Sequence, residues 1–428
     1  MISGGYVVNP GANFEGYATL LIRDGIIDKI LDTGAPLPAE YSDAQKTDAT
    51  GLYVFPGLVD AHSHFRDPGF THKEDILTGA AAAVAGGYTD IVLMCNTKPV
   101  VDNEETFRYV VEKGKTTPIH IHSCATVTMG LKGQELTDME GLASLGAVGF
   151  TDDGIPLMDE EILREAMVRS AKLNLPISLH EEDKNLIENN GINRGKASEY
   201  YGIGGSPREA EISLVKRDLA IALSTGAILD IQHVSAKESV ALIREAVAKQ
   251  GDGRKIHAES TPQHFSITED AVIEKGADAK CNPPLRTEED RLGIIEGLRD
   301  NTIDLIATDH APHTAEEKGV QPIQFAPSGM IGLETALSLS YEKLVLEAKI
   351  PLSDVIAKLT VNPAKVYGLS DAGIIKEGGS ADICLFDPKA EYVRDSFASK
   401  SWNSPFLGRT MKGRVVATIC AGETVYCV

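Results

Sequence analysis

Long apolar runs and paired cysteines are both missing from this sequence. No apolar run approaches the about 18 residues that a membrane-spanning helix needs, and the N-terminus lacks a basic region followed by an apolar core. The six cysteines are scattered, and no two of them form a Cys-x-x-Cys pair. A disulfide framework is therefore not expected, and free thiols indicate a reducing compartment. We expect a soluble, cytoplasmic protein.

Positive charge is also scarce, because 41 Lys and Arg residues face 62 Asp and Glu residues and leave a formal net charge of -21. An acidic surface repels nucleic acid and anionic membranes, so neither is expected as a partner. An anionic small molecule stays possible where local cations override the overall field. The hydrophobic content of 43% and the charged content of 24% are ordinary for a globular protein.

Short β-branched or apolar runs alternate with longer helical patterns from residue 52 onward. The predicted strands are Val54–Phe65, Thr89–Cys95, Ile119–Cys124, Ala147–Thr151, Pro176–His180, Ile228–His233, Lys255–Ser260 and Asp304–Ala307. The predicted helices between them include Lys73–Ala85, Glu104–Gly114, Asp159–Leu173, Pro207–Thr225 and Lys237–Lys249. This alternation predicts an α/β fold, a (β/α)8 TIM barrel over residues 52–372. A doubly wound open sheet is the alternative, but no Gly-x-Gly-x-x-Gly loop follows a strand.

The two ends of the chain differ from this pattern. Residues 1–51 contain two short strand patterns on either side of a tight Asp24-Gly25 turn. Residues 373–428 again contain short strand patterns with turn residues between them. Both ends are rich in strand patterns and poor in helical ones. We therefore predict that residues 1–51 and 373–428 form one small β-sandwich domain beside the barrel.

One short strand carries three polar side chains on the same face, namely His62, His64 and Arg66. Alternate residues of a strand point to the same side. Two imidazoles and a guanidinium on one buried face would repel one another if all were charged. A metal cation held by two neutral imidazoles, with an anionic ligand for Arg66, would remove this conflict. The strand therefore predicts half of a metal site beside an anion-binding arginine.

Further His and Asp residues end or directly follow four other predicted strands. They are Asp152, Asp153, His180, His233, Asp309 and His310. The carboxyl ends of the strands of such a barrel meet at one mouth, which is where function gathers. Imidazoles and carboxylates suit zinc and related divalent metals. Two metals need a bridging ligand, and Asp152 and Asp153 are the candidates, so the sequence predicts a binuclear site.

The remaining histidines lack these features. His120 and His122 form a second His-x-His, but no carboxylate pair or arginine accompanies it in the sequence, so we expect it to be structural. We expect His264 to support the mouth of the barrel without binding metal. His72 and His257 have no evident partners and are interpreted as ordinary surface or core residues.

Several segments together carry a family signature. They are Gly51–Gly69, Asn96, Gly149–Gly154, Asn282–Arg286, Ala307–His313 and Gly332–Thr335. On these segments the chain resembles the amidohydrolase superfamily, and within it the class I dihydroorotases, nearly from end to end. The His-x-His start is shared widely across that superfamily. Arg66, Thr-Asp-Asp-Gly at residues 151–154 and Thr-Asp-His-Ala-Pro-His at residues 308–313 are more specific.

The resemblance implies two Zn²⁺ ions per chain and a role for each candidate residue. The implied metal ligands are His62, His64 and Asp309 for one zinc, His180 and His233 for the other, and Asp153 as the bridge. The implied substrate-binding residues are Arg66, Asn96, Asn282 and His313. Asp309 would also be the catalytic general base and acid. Because Asp152 and Asp153 are adjacent, Asp152 is the alternative bridge.

The activity that the resemblance implies is the reversible cyclisation of N-carbamoyl-L-aspartate to L-dihydroorotate in pyrimidine (UMP) biosynthesis. The alternatives are a related cyclic amidase, hydantoinase or allantoinase, and a scaffold partner of aspartate transcarbamoylase. The two amidases usually bridge their metals with a carboxylated lysine, and residues 147–153 contain none. A scaffold would be expected to have lost ligands, whereas every position is retained. We expect a homodimer, an association with aspartate transcarbamoylase stays open, and the loop at residues 312–328 is expected to close over the substrate.

Overall fold

The computed structural model describes residues 1–251 and 253–428. Its strands are β1 Ile2–Ser3, β2 Tyr6–Asn9, β3 Phe14–Arg23, β4 Ile26–Asp32, β5 Thr47–Asp48, β6 Tyr53–Pro56, β7 Leu58–Ser63, β8 Tyr88–Leu93, β9 His120–Ser123, β10 Pro176–Leu179, β11 Ile228–Ile231, β12 Ile256–Ser260, β13 Leu305–Ile306, β14 Ile383–Val393, β15 Thr410–Cys420 and β16 Glu423–Cys427.

The α-helices lie mainly between the barrel strands. They are α1 Ile76–Ala85, α2 Glu104–Gly114, α3 Met139–Ser144, α4 Glu160–Leu173, α5 Lys196–Tyr201, α6 Arg208–Thr225, α7 Lys237–Ala248, α8 Pro262–Ser266, α9 Asp270–Lys275, α10 Glu288–Arg299, α11 Ala315–Lys318, α12 Leu333–Ser340, α13 Leu352–Lys358 and α14 Val361–Val366. Short 3-10 turns lie at Pro10–Ala12, Ala39–Tyr41, Met129–Leu131, Gly276–Ala279 and Ile323–Phe325, and a π-helical segment at Tyr341–Glu347.

The predicted barrel is confirmed. Strands β7, β8 and β9 form one parallel sheet, and β10 to β13 form another. The two sheets join on one side through Phe150, which bridges Ala125 and Ile177, and on the other through a bridge between Ser63 and His310. The predicted fourth strand is thus reduced to a single pairing position. Hydrogen bonds from Phe150 to Pro176 and from Ser178 to Phe150 nevertheless continue the ladder across it.

Side-chain caps explain where several helices begin. Asp75, Asn103 and Asp159 each accept hydrogen bonds from backbone N–H groups in the first turn of α1, α2 and α4, respectively. Such caps satisfy N–H groups that have no partner within the helix. The cap at Asp75 starts α1 three residues later than the helical pattern predicts. Buried apolar residues of the strands and helices, such as Ile91, Ile177, Leu163 and Val215, form the main core between the two layers.

Both chain ends contribute to a separate nine-stranded sheet with the order β16-β15-β14-β6-β2-β3-β1-β5, in which β4 pairs with β3. The predicted turn at Asp24-Gly25 joins β3 and β4, and both residues have positive φ, as a type I′ hairpin requires. An apolar cluster that includes Leu20 and Ile27 from the first end and Ile383 and Ile419 from the second unites the two halves. The assignment of residues 1–51 and 373–428 to one domain stays a prediction.

The first predicted strand is divided in two at Gly57. Its first half, β6, pairs with β14 and β2 in the terminal sheet, and its second half, β7, pairs with β8 in the barrel. A Cβ atom on Gly57 would lie 2.1 Å from Oγ1 of Thr89, so no side chain fits at this crossing point. The Gly57 N–H donates to the carbonyl of Asp382 at 2.8 Å. This link connects the barrel directly to the terminal sheet.

Candidate active site

The six predicted metal-binding residues meet at the carboxyl ends of the barrel strands. His62 is the penultimate residue of β7 and His64 directly follows that strand. His180 directly follows β10, and His233 comes two residues after β11. Asp153 follows the Phe150 bridge, and Asp309 follows β13. All six side chains are buried. This is the end of the barrel where active sites of this fold are found.

Asp153 occupies the centre of the group. Its Oδ1 lies 3.5 Å from His62 Nε2, and its Oδ2 lies 3.3 Å from His64 Nε2. The same Oδ1 lies 3.9 Å from His180 Nδ1 and 3.9 Å from His233 Nε2. Two sets of ligand atoms, each spanning no more than 4.8 Å, therefore share this one carboxylate. The arrangement suits a residue that bridges two metal ions.

Asp309 lies beside the first set, and Asp152 stands apart from both. Asp309 Oδ1 lies 3.1 Å from His64 Nε2 and 3.6 Å from His62 Nε2. Asp152 instead accepts hydrogen bonds from the backbone of Val127 and Thr128 at 2.8 and 3.0 Å and from the Thr128 hydroxyl. Burial raises the pKa of Asp152 to about 6. Its carboxylate supports the neighbouring loop rather than the cluster of histidines.

The second ring nitrogen of three histidines is held by an acceptor. His62 Nδ1 lies 3.0 Å from Glu259, and His180 Nε2 lies 3.1 Å from Glu182. His64 Nδ1 lies 2.9 Å from Oδ1 of Asn96, whose amide nitrogen donates to Asp153 at 3.0 Å. Such partners fix the ring orientation and the tautomer of metal-binding histidines.

No role is predicted for Glu182 or Glu259 from the sequence. Their positions could have indicated that they lie near the active site. Glu182 comes two residues after His180, and Glu259 lies near the carboxyl end of the barrel strand β12. The family resemblance implies that Asn96 binds the substrate. The structure places the Asn96 amide between His64 and Asp153, although Asn96 also lines the cavity.

The residues present fit a pair of divalent cations. His62 Nε2 is buried and has no hydrogen-bond partner among the described residues, although it points into the cluster. Burial, together with the charges of His180 and His62, holds the pKa of His233 well below its usual value, so its imidazole is neutral. Burial opposes ionisation of Asp153, yet the adjacent histidines hold the pKa of its carboxyl well below the usual range. Zinc and related metals bind imidazole nitrogens and ionised carboxylates, and they displace any proton that a histidine of the cluster holds in their absence.

A cavity of about 220 Å³ opens beside this cluster. It is lined by all four residues that are predicted to bind the substrate, namely Arg66, Asn96, Asn282 and His313. Asp309, Gly154 and Ser328 also contribute to the lining. Oδ1 of Asn282 is buried without a hydrogen-bond partner among the described residues, so it is available to a ligand. His313 Nε2 lies 2.9 Å from the carbonyl of Ser328, which ties the two sides of the cavity together.

Arg66 is the cation of this cavity. Its Nε–H donates to the carbonyl of Pro312 at 3.3 Å, and its Nη2 lies 3.5 Å from His313 Nε2. Among the described residues, no carboxylate oxygen lies within 4.0 Å of its guanidinium. Arg66, His233 and Asp309 all have positive φ, at 58°, 31° and 44°. Non-glycine residues held in this region of φ cluster at functional sites.

Two buried lysines hold the loop beside the cavity. Lys318 Nζ donates to the carbonyls of Pro327 and Gly329 at 3.0 and 2.7 Å. Lys280 Nζ donates to three carbonyls between residues 323 and 326. The segment expected to close over the substrate is thus anchored from beneath, and its movement stays a prediction. Among the described residues, no helix combines the length and the hydropathy needed to cross a membrane.

Comparison with known proteins places the chain among cyclic amide hydrolases. Residues 51–239 match the dihydro-orotase-like family and residues 333–426 the amidohydrolase family. The dihydroorotase of Clostridium acetobutylicum is 49% identical over 429 residues, which cover 100% of this chain and 99% of that protein. The chain belongs to the dihydroorotase family. The dihydroorotase of Clostridioides difficile is 47% identical with the same coverage, and the one of Streptococcus pneumoniae serotype 4 is 48% identical.

Solved structures agree with the fold of this dihydroorotase-family chain. The L-hydantoinase of Arthrobacter aurescens superposes with a TM-score of 0.87 at 25% identity, covering 99% of this chain and 95% of that one. The dihydropyrimidinase of Brevibacillus agri superposes with a TM-score of 0.84 at 24% identity, covering 100% and 94%. The predicted fold and the predicted dihydroorotase activity are both confirmed. The chain is a cyclic amide hydrolase and a metalloenzyme of the amidohydrolase superfamily.

Proposed function

We propose that the chain interconverts L-dihydroorotate and N-carbamoyl-L-aspartate with two zinc ions at the mouth of the barrel. His62, His64 and Asp309 would hold one ion, His180 and His233 the other, and Asp153 both. The observation that carries this proposal is the position of the Asp153 carboxylate between both pairs of histidines. Ions bound there would supply Lewis acidity, which polarises an amide carbonyl and lowers the pKa of a water molecule to roughly 7.

Substrate orientation follows from the charges around the cavity. The Arg66 guanidinium is the cation that the substrate carboxylate would meet, since among the described residues it has no carboxylate partner of its own. The free Oδ1 of Asn282 can accept a hydrogen bond from a ring N–H. These two contacts would hold the ring with its amide carbonyl toward the histidine cluster. Hydantoin and allantoin lack the carboxylate and would leave the partly buried Arg66 without an anionic partner.

Proton transfer is assigned to Asp309. Its described polar contacts, with His62 and His64, both use Oδ1, which leaves Oδ2 without a partner among the described residues. In ring opening, the water oxygen forms a bond to the amide carbon and the bond from that carbon to the ring nitrogen breaks. Asp309 would take up the proton of the water and return it to the leaving nitrogen. Ring closure reverses these steps and releases water.

Elemental analysis combined with assays in both directions tests this proposal. We expect about two zinc equivalents at the active site, in addition to any ion held elsewhere in the chain, with loss of activity on chelation and recovery when zinc is restored. Reconstitution should not require bicarbonate, because Asp153 rather than a carboxylated lysine bridges. A fully active protein with one tightly bound metal would contradict the binuclear site. Turnover of hydantoin at a rate comparable to that of L-dihydroorotate would contradict the substrate assignment.

The assembly of the chain is part of the same proposal and stays a prediction. We expect a homodimer, and light scattering on the purified protein measures its mass directly. Association with aspartate transcarbamoylase and a cytoplasmic location also stay predictions. A shift in elution volume on mixing with that enzyme would support the association, and unchanged elution of both proteins would contradict it.

A further inference from the structure

A second group of metal-binding residue types lies at the opposite end of the barrel from the active site. His120 is the first residue of β9, Asp382 directly precedes β14, and Cys420 is the last residue of β15. The sequence predicts a structural role for His120, because no acidic partner is near it along the chain. The fold supplies two partners, from 262 and 300 residues away. The ligand atoms of all three side chains lie within 4.8 Å of one another.

The distances within this group match those of a zinc site. His120 Nε2 lies 3.2 Å from Asp382 Oδ2 and 3.5 Å from Cys420 Sγ. In a tetrahedral zinc site, bond lengths of about 2.0–2.1 Å to nitrogen and oxygen and about 2.3 Å to sulfur separate N from O by about 3.3 Å and N from S by about 3.6 Å. The Nε2 atom of an imidazole carries one hydrogen at most, whether the ring is neutral or protonated, so it cannot satisfy both acceptors equally. One cation among the three atoms would satisfy all of them.

The surroundings leave the group both fixed and accessible. Asp382 and Cys420 are buried, and Asp382 Oδ1 accepts a hydrogen bond from the backbone of Ala421 at 2.7 Å. The His120 side chain is 42% exposed and, with Cys420, lines a cavity of about 600 Å³. The cavity gives a metal ion an entry path and leaves room for a water molecule as fourth ligand. Preformed ligands with an entry path are what a metal site requires.

We propose that His120, Asp382 and Cys420 bind a further divalent cation of the zinc class, distinct from the ions of the active site. An imidazole, a carboxylate and a thiolate form a ligand set that suits zinc. The two anionic ligands balance the charge of the ion. Because β9 belongs to the barrel and β14 and β15 belong to the terminal sheet, the ion cross-links these two parts of the chain. The role of this site is structural.

Cobalt substitution of the full-length enzyme tests the proposal independently of the active site. A thiolate ligand gives bound Co²⁺ a charge-transfer absorption in the near ultraviolet, and the two active-site groups contain only His and Asp. We expect this absorption in the original chain and its loss in Cys420→Ser. The matched control is Cys427→Ser, which removes the exposed cysteine and should keep the absorption.

Zinc content gives the second readout. Cys420→Ser should contain one zinc equivalent fewer than the original chain and retain its dihydroorotase activity, whatever the number of ions at the active site. His120→Gln, which changes a partly exposed side chain, should lose the same equivalent and keeps the test valid if Cys420→Ser fails to fold. The shift of the melting temperature on adding zinc should be smaller in both variants. A Co²⁺ spectrum without the charge-transfer absorption, or equal zinc content in the original chain and both variants, would overturn the proposal.

Discussion

Arg66→Met should separate recognition of the substrate carboxylate from metal binding. Arg66 is partly buried in a cavity wall, and among the described residues its guanidinium has only the carbonyl of Pro312 and the ring of His313 as polar neighbours. A partly buried cation without an anionic partner contributes little to stability, so replacing it with an apolar chain of similar length should not destabilise the fold. The change leaves all six metal-binding side chains in place. The loss should therefore appear in substrate recognition.

The magnitude follows from the contact that is removed. A hydrogen-bonded contact between arginine and a carboxylate contributes about 1.5–3 kcal/mol. At about 1.4 kcal/mol for each factor of ten, this corresponds to a decrease in kcat/KM of about 10- to 100-fold. If the contact also orients the ring for attack, kcat should fall as well as KM rise.

The assay measures kcat/KM in both directions together with the zinc content of each variant. We expect the decrease for L-dihydroorotate and for N-carbamoyl-L-aspartate with unchanged metal content. Arg66→Lys is the matched control, since it keeps the charge but loses the planar fork, and it should fall between the original chain and the methionine variant. Unchanged kcat/KM in Arg66→Met, with both metals bound, would refute this reasoning.

Three further predictions concern other residues. Asp309→Asn should lower kcat by at least about 100-fold in a steady-state assay while elemental analysis finds much of the metal retained, because an amide cannot take up the proton; near-normal turnover would assign that step to another group. Asp153→Ala should lose more metal than Asp152→Ala, and the reverse ranking would show that Asp152 bridges. Burial lowers the pKa of Lys318 to about 8 from 10.5. The unfolded chain therefore binds more protons between these values, and the contribution of Lys318 to stability rises with pH across that window. Denaturant unfolding of Lys318→Met should lack this rise, and an identical pH profile in both proteins would count against it.

Local patterns were sufficient for most of the secondary structure. The helical patterns coincide with α2, α4, α6 and α7 to within a residue at each end. The predicted fourth strand, Ala147–Thr151, is longer than the observed one, because among the described residues only Phe150 pairs with both neighbouring strands. The first predicted strand, Val54–Phe65, is divided at Gly57 into β6 and β7. The sequence alone does not reveal this division, because the residue that crowds Gly57 is Thr89, which belongs to another strand.

Some features of the candidate site can likewise be predicted from the sequence, and others cannot. The alternation along β7 places His62 and His64 on one side, and the parallel order of the strands brings their ends together, so both features follow from sequence. The difference between Asp152 and Asp153 does not, since adjacent residues share every local pattern. Hydrogen bonds to Val127 and Thr128 turn Asp152 away, and these partners are known only from the fold.

The sequence by itself determined the order of strands and helices, the histidines and aspartates at the strand ends, and the arginine that predicts an anionic substrate. Each of these depends on spacings of a few residues, which the backbone geometry of a strand or helix converts directly into direction. Only the tertiary structure decided that Glu259 orients His62 and that Asp382 and Cys420 join His120. Those contacts join residues roughly two hundred or more positions apart, and their formation depends on how the packed layers bring distant segments together.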